Sequence, residues 1–190
     1  MKNILSYSTL LSGLLISFLL SAQDYKQTSW VDKIKEEINR GIDSPEELGH
    51  LIFIALQNDV DLAPFYSRRE VLSEMIAATG KKNPGTAEAA ADYWWNDFQK
   101  ERATLLDQFY ETLKKKNIRM SEYMLDEVKA IVEDIPGTNG RVKSADIYLY
   151  IRKGNSRHVI SLDDCGMINN RWYIMTPYIF LDAPENGQKK

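Results

Sequence analysis

The sequence predicts an α+β domain in which N-terminal helices pack on a curved antiparallel sheet, and three observations carry that expectation. Apolar residues between Trp30 and Leu113 recur at three- and four-residue spacing, the period of a helix with one buried face. From Ile147 onward they alternate with polar or aromatic residues, the period of a strand with one buried face. The two patterns are segregated along the chain rather than interleaved, which favours helices gathered against an antiparallel sheet over a parallel α/β arrangement.

Ahead of this pattern the chain reads as an export signal. Lys2 supplies a short positive start, and the run Leu10 to Leu20 is apolar apart from Ser12, Gly13 and Ser17. A helix that spans a bilayer needs roughly 20 apolar residues, whereas the apolar part of a secretory signal is about 7 to 15 long and ends at small residues. Ser21 and Ala22 supply those, although Leu20 is larger than the residue preferred at its place. The expected division is a signal peptide over 1–22, a single domain over 23–183 and a flexible polar tail over 184–190. Gln23 stands where a lipoprotein carries its lipidated cysteine. The expected product therefore has no stable membrane anchor and is destined for the periplasm or the medium.

Charge and cysteine content narrow the classes. The chain carries 24 Lys+Arg against 27 Asp+Glu, so the basic stripe of a nucleic-acid binder is not expected. Lys114 to Lys116 fall in the last turn of a predicted helix, where cations meet the negative end of the helix dipole. One cysteine, Cys165, cannot form an intramolecular disulfide.

In chain order, Trp30, Ile34 and Ile38 form one helical stripe that ends at Gly41, a residue suited to a left-handed cap. Ser44, Pro45 and Glu47 supply a capping serine, a proline at the first helical position and a glutamate three residues after the cap. Leu48, Leu51, Ile52 and Leu56 follow as the buried face. A third helix opens near Pro64, carries Phe65, Leu72, Met75 and Ile76, and stops at Gly80. A long helix is expected over Thr86–Lys116, with Trp95, Phe98, Leu105, Phe109 and Leu113 on one side. Its neighbours Trp94 and Trp95 are about 100° apart on a helix, so one of them is left to exposure or to a pocket rim.

Beyond Asn117, Met120 to Val132 is expected to supply the first strand, with a helix over Tyr123 to Val132 as the alternative. Ile147, Leu149 and Ile151 alternate with Tyr148, Tyr150 and Arg152. Gly154 and Asn155 turn the chain into a strand bearing Val159, Ile160 and Leu162. A second turn at Asn169 and Asn170 leads into a strand from Arg171 to Thr176.

The opening Ser44-Pro45-Glu46-Glu47, the helix end Ala55-Leu56-Gln57-Asn58-Asp59 and the terminal Asn169-Asn170-Arg171-Trp172-Tyr173-Ile174 resemble the nuclear-transport-factor-2-like superfamily, in particular its exported bacterial branches. The long helix from Thr86 departs from a minimal member. The resemblance implies a cone-shaped half-barrel whose concave side serves in relatives as a ligand cavity, an enzyme site or simply as core. Fold alone does not choose among these.

The polar candidates are Tyr148, Tyr150, His158 and Asp164, with Trp95 as an aromatic wall. On an uninterrupted strand His158 and Asp164 share a face and Asp163 takes the other. His50 and His158 lie far apart and no cofactor or metal motif is present. Three readings follow. The aromatic content of 11% without catalytic signatures suits a binding module for a small apolar or amphiphilic ligand. Tyr148, Tyr150, Arg152 and Tyr173 on a bare sheet face suit a homodimer or an exported protein partner. A cofactor-free enzyme would use His158 as proton carrier.

Overall fold

A computed structural model describes residues 29–79 and 84–182, which form four helices and a five-stranded antiparallel sheet. The signal-peptide and polar-tail expectations lie outside the described residues. Helix α1 covers 29–40, α2 Pro45–Gln57, α3 Arg69–Ala78 and α4 Pro84–Lys115. Strands β1 (Met124–Asp134), β2 (Val142–Lys153), β3 (Ser156–Ile168), β4 (Arg171–Ile174) and β5 (Ile179–Leu181) follow. The chain is therefore α+β, with helices first and sheet second.

Local chemistry explains most boundaries. Gly41 has φ 98° and its N–H donates to the Glu37 carbonyl at 3.0 Å, closing α1 in a conformation that glycine adopts without penalty. Ser44 Oγ accepts from the Glu47 N–H at 3.0 Å, while the Glu47 carboxylate accepts from the Asp43 N–H at 2.9 Å, one residue before the cap. The segment from Met124 to Val132 is strand rather than helix, because every residue from Glu127 to Asp134 pairs with β2. A single 3-10 turn at Met120–Glu122 precedes it. Two-residue turns join β2 to β3 and β3 to β4: Gly154 has φ 57°, and Asn169 and Asn170 have φ 51° and 59°, the positive values that tight hairpins demand.

The sheet order is β1-β2-β3-β4, and β5 shares the outer edge of β3 with β4. β4 pairs with the Cys165–Ile168 end of β3 and β5 with Ile160–Leu162. Between them β3 carries a bulge: Ala145 opposes Cys165 but Ile147 opposes Leu162. One extra residue thus sits on β3, and Asp164 takes φ 53° there, a left-handed value that aspartate tolerates better than most residues.

The core lies where α1, α2 and the end of α4 cover one sheet face. Leu48 and Ile52 of α2, Ile147 and Leu149 of β2, Ile160 and Leu162 of β3 and Ile174 of β4 are fully buried. Helix α2 approaches most closely at Gly49, where an added methyl would stand 2.6 Å from Val128 Cγ1 and 2.9 Å from Leu149 Cδ2. Phe109 and Leu113 join this core. Trp95, expected with them, does not.

Candidate functional site

A cavity of about 500 Å³ opens between the α3–α4 hairpin and the bulged part of the sheet. Its helical side is Leu72, Met75 and Ile76 of α3 with Trp94, Trp95 and Phe98 of α4. Its sheet side comes from Lys143 and Ser144 of β2, from Asp164, Cys165 and Gly166 of β3, and from Met175 to Tyr178, which link β4 to β5. The bulge accounts for this place. Where β3 carries its extra residue, β4 has ended and β5 has not begun. The connecting segment is tied to the bulge by the Asp163 N–H donating to the Tyr178 carbonyl at 3.2 Å and by Thr176 Oγ1 donating to the Asp163 carbonyl at 2.8 Å.

The helices leave the space open because α3 buries none of its residues. Trp95 stacks on Phe98 with ring centres 5.6 Å apart, and Phe98 meets Tyr66 edge-on at 5.4 Å. Trp94 is 59% exposed at the rim and Tyr178 is 37% exposed. Both tryptophans therefore face the cavity, one as wall and one as lip. Burial foremost, and then the nearby Asp146, Asp163 and Asp164 carboxylates, push the Cys165 thiol far up from its usual range. It is an inert part of the wall.

Two polar clefts lie elsewhere. One of about 420 Å³ is lined by Asp126, Glu127, Tyr150, Arg157, His158 and Asp182, among others. His158 Nδ1 lies 3.1 Å from Asp182 Oδ1, and its Nε2 lies 3.3 Å from Ser156 Oγ. Burial raises the Asp182 carboxyl, but hydrogen bonds from Lys116, His158 and the Val159 N–H together outweigh it and hold the pKa below the ordinary value. A histidine between hydroxyl and carboxylate has the order of a proton relay, yet Ser156 is exposed on the hairpin and is not part of the cleft wall. The second cleft, about 360 Å³, carries Lys35, Arg68 and Arg102 and shares Ser67 and Trp95 with the apolar cavity. Arg102 stands over the Tyr66 ring at 5.5 Å.

The five candidate residues are thus divided. Trp95 and Asp164 line the apolar cavity, while Tyr150 and His158 line the acidic cleft. Tyr148 is only 3% exposed, although it alternates away from Ile147 and Leu149; its cross-strand neighbours are Lys129 and Ser161. The expectation that His158 and Asp164 share a face is corrected by the bulge, which interrupts β3 between them. His158 pairs instead with Asp182, which follows β5. Helical spacing places Leu72, Met75 and Ile76 on a helix without naming what they meet, and Met175 and Tyr178 carry no pattern that marks them as cavity residues.

Among the described residues, no three His, Cys, Asp or Glu side chains are grouped to hold a metal ion, and no helix is long and apolar enough to cross a membrane. No protein-family model matches the chain, and neither the curated proteins nor the solved structures include a match to it.

Proposed function

We propose that this chain is an exported, non-catalytic binding module that holds a small apolar or amphiphilic molecule between the α3–α4 hairpin and the bulged end of the sheet. The observation that carries the reading is the cavity of about 500 Å³ walled by Leu72, Met75, Ile76, Trp95 and Phe98. Ligand sites fall in the range of roughly 300–1,000 Å³ and are lined mainly by apolar and aromatic side chains with a few polar groups. Helices that precede an antiparallel sheet support a nuclear-transport-factor-2-like cone as the family, and the apolar run Leu10 to Leu20 supports export.

Native mass spectrometry of the protein recovered from its own exported fraction tests this reading. A polypeptide beginning at Gln23 with a few hundred daltons of bound mass is the expected result. The variant Trp95→Ala is expected to lose that mass while keeping its circular dichroism. A bare protein that also fails to bind alkyl alcohols in titration would remove the binding-module reading.

A further inference from the structure

The cavity is apolar in its walls but not neutral at its mouth. Three carboxylates, those of Asp97, Glu101 and Asp164, line it against a single cation, Lys143. Lys143 is already paired with Asp134 at 3.5 Å. Asp97 has Lys100 at 3.8 Å, near the limit of an ion pair, with both side chains largely in water. The Glu101 and Asp164 carboxylates have no ion-pair partner among the described residues. Asp164 is held in place through its own backbone, whose N–H donates to Asp146 Oδ1 at 3.1 Å.

A carboxylate beside apolar surface is costly to desolvate, so a neutral or anionic occupant that covered Glu101 and Asp164 would be penalised. A cation would be matched by them. The aromatic lip adds to the preference, because the face of an indole or phenol ring attracts a positive charge, and does so most strongly for a weakly hydrated one. Trp94 and Tyr178 supply such rings where the cavity meets solvent. Behind the lip, burial and then the Asp146, Asp163 and Asp164 charges raise the Cys165 thiol.

Resting on the binding reading above, we infer that the occupant is an organic cation: an apolar body lodged under α3 and α4, with an ammonium group between the aromatic lip and the Glu101 and Asp164 carboxylates. A quaternary or alkylated ammonium fits better than a primary one, because it gives up less hydration on meeting the rings.

The test compares three probes with one tail and different heads, octyltrimethylammonium, 1-octanol and octyl sulfate. Each is titrated into the mature chain at low salt below its micelle concentration, with tryptophan fluorescence and calorimetry as readouts. The ammonium is expected to bind about tenfold or more tighter than the alcohol, and the sulfate more weakly than either. In the double variant Glu101→Gln, Asp164→Asn, the ammonium should lose most of its advantage over the alcohol, keeping only what the aromatic lip supplies. Raising salt should narrow the gap in the wild-type chain as well, since rim charges are screened. Equal or tighter binding of the alcohol in the wild-type chain overturns the cation assignment and leaves the apolar cavity standing. A gap left undiminished by the double variant overturns it too. If none of the three probes binds, the cation and the binding module fall together.

Discussion

Helices α2 and α3 have similar sequences in outline, each short and each with apolar residues at helical spacing, and the protein uses them in opposite ways. Helix α2 begins with a serine cap and a proline and buries Leu48, Gly49, Ile52, Phe53 and Leu56. Helix α3 begins after Arg68 without a side-chain cap, and none of its residues is fully buried. It is held at its polar side, by the Arg69 guanidinium on Asp92 and by Asn169 Nδ2 donating to Glu74 at 2.6 Å. Apolar periodicity establishes that a helix has a face to cover, not what covers it. Under α2 the cover is the sheet; under α3 it is α4 and the cavity. A protein that leaves Leu72, Met75 and Ile76 only partly buried beside a cavity gives up stability that full packing would supply, which fits a surface kept for another molecule.

The sharpest way to break this contrast is to shorten one apolar side chain in each region. Leu149→Ala, in the core under α2, is expected to cost roughly 2–5 kcal/mol. Leu72→Ala in α3 should cost less, about 1–2 kcal/mol, because its side chain is only partly buried and borders a cavity. Denaturant midpoints measure both, and similar losses would mean that α3 is packed as α2 is. A smaller effect is expected for Gly49→Ala. Alanine favours a helix by about 1 kcal/mol, but its methyl would press on Val128 Cγ1 and Leu149 Cδ2 at 2.6 and 2.9 Å. Overpacking of roughly 1–3 kcal/mol should win, and a stabilised variant would show that the α2–sheet contact yields. Ser44→Ala should cost about 1 kcal/mol through the lost cap, a loss with no counterpart at Arg68, where no side chain caps.

Features set within a few residues were legible in the sequence. Ser44, Pro45 and Glu47 marked the start of α2, Gly41 the end of α1, and Gly154-Asn155 and Asn169-Asn170 the two hairpin turns, because each acts on its own neighbourhood. The alternation Ile147, Leu149, Ile151 marked β2 for the same reason. What depended on distant pairing was not legible. Tyr123–Val132 was open between helix and strand until β2 paired with it. The bulge of β3 likewise appears only in its pairing with β2. The cavity needed that bulge together with the gap between β4 and β5 and the open underside of α3. Asp182 reached His158 only because β5 returned beside β3.

Asp182 offers the smallest test, at a junction between the two regions. It receives Lys116, just beyond α4, at 2.5 Å and His158 of β3 at 3.1 Å. Its pKa is held below the ordinary 3.8, the hydrogen bonds outweighing the opposing effect of burial. A carboxylate whose folded pKa is depressed contributes stability above its unfolded value, and loses that contribution as pH falls through the folded one. The wild-type chain should therefore lose stability between pH 6 and pH 2.5 partly through this residue, and Asp182→Asn should lose less over the same interval. The side chain is 35% exposed, so solvent screens the pair and the difference should stay below about 1 kcal/mol. Denaturant midpoints at the two pH values provide the comparison, with high salt expected to shrink it further. Identical acid profiles for the two proteins would mean that the tie between the end of α4 and β3 contributes nothing in solution, and that packing of Phe109 and Leu113 alone fixes the end of α4 against the sheet.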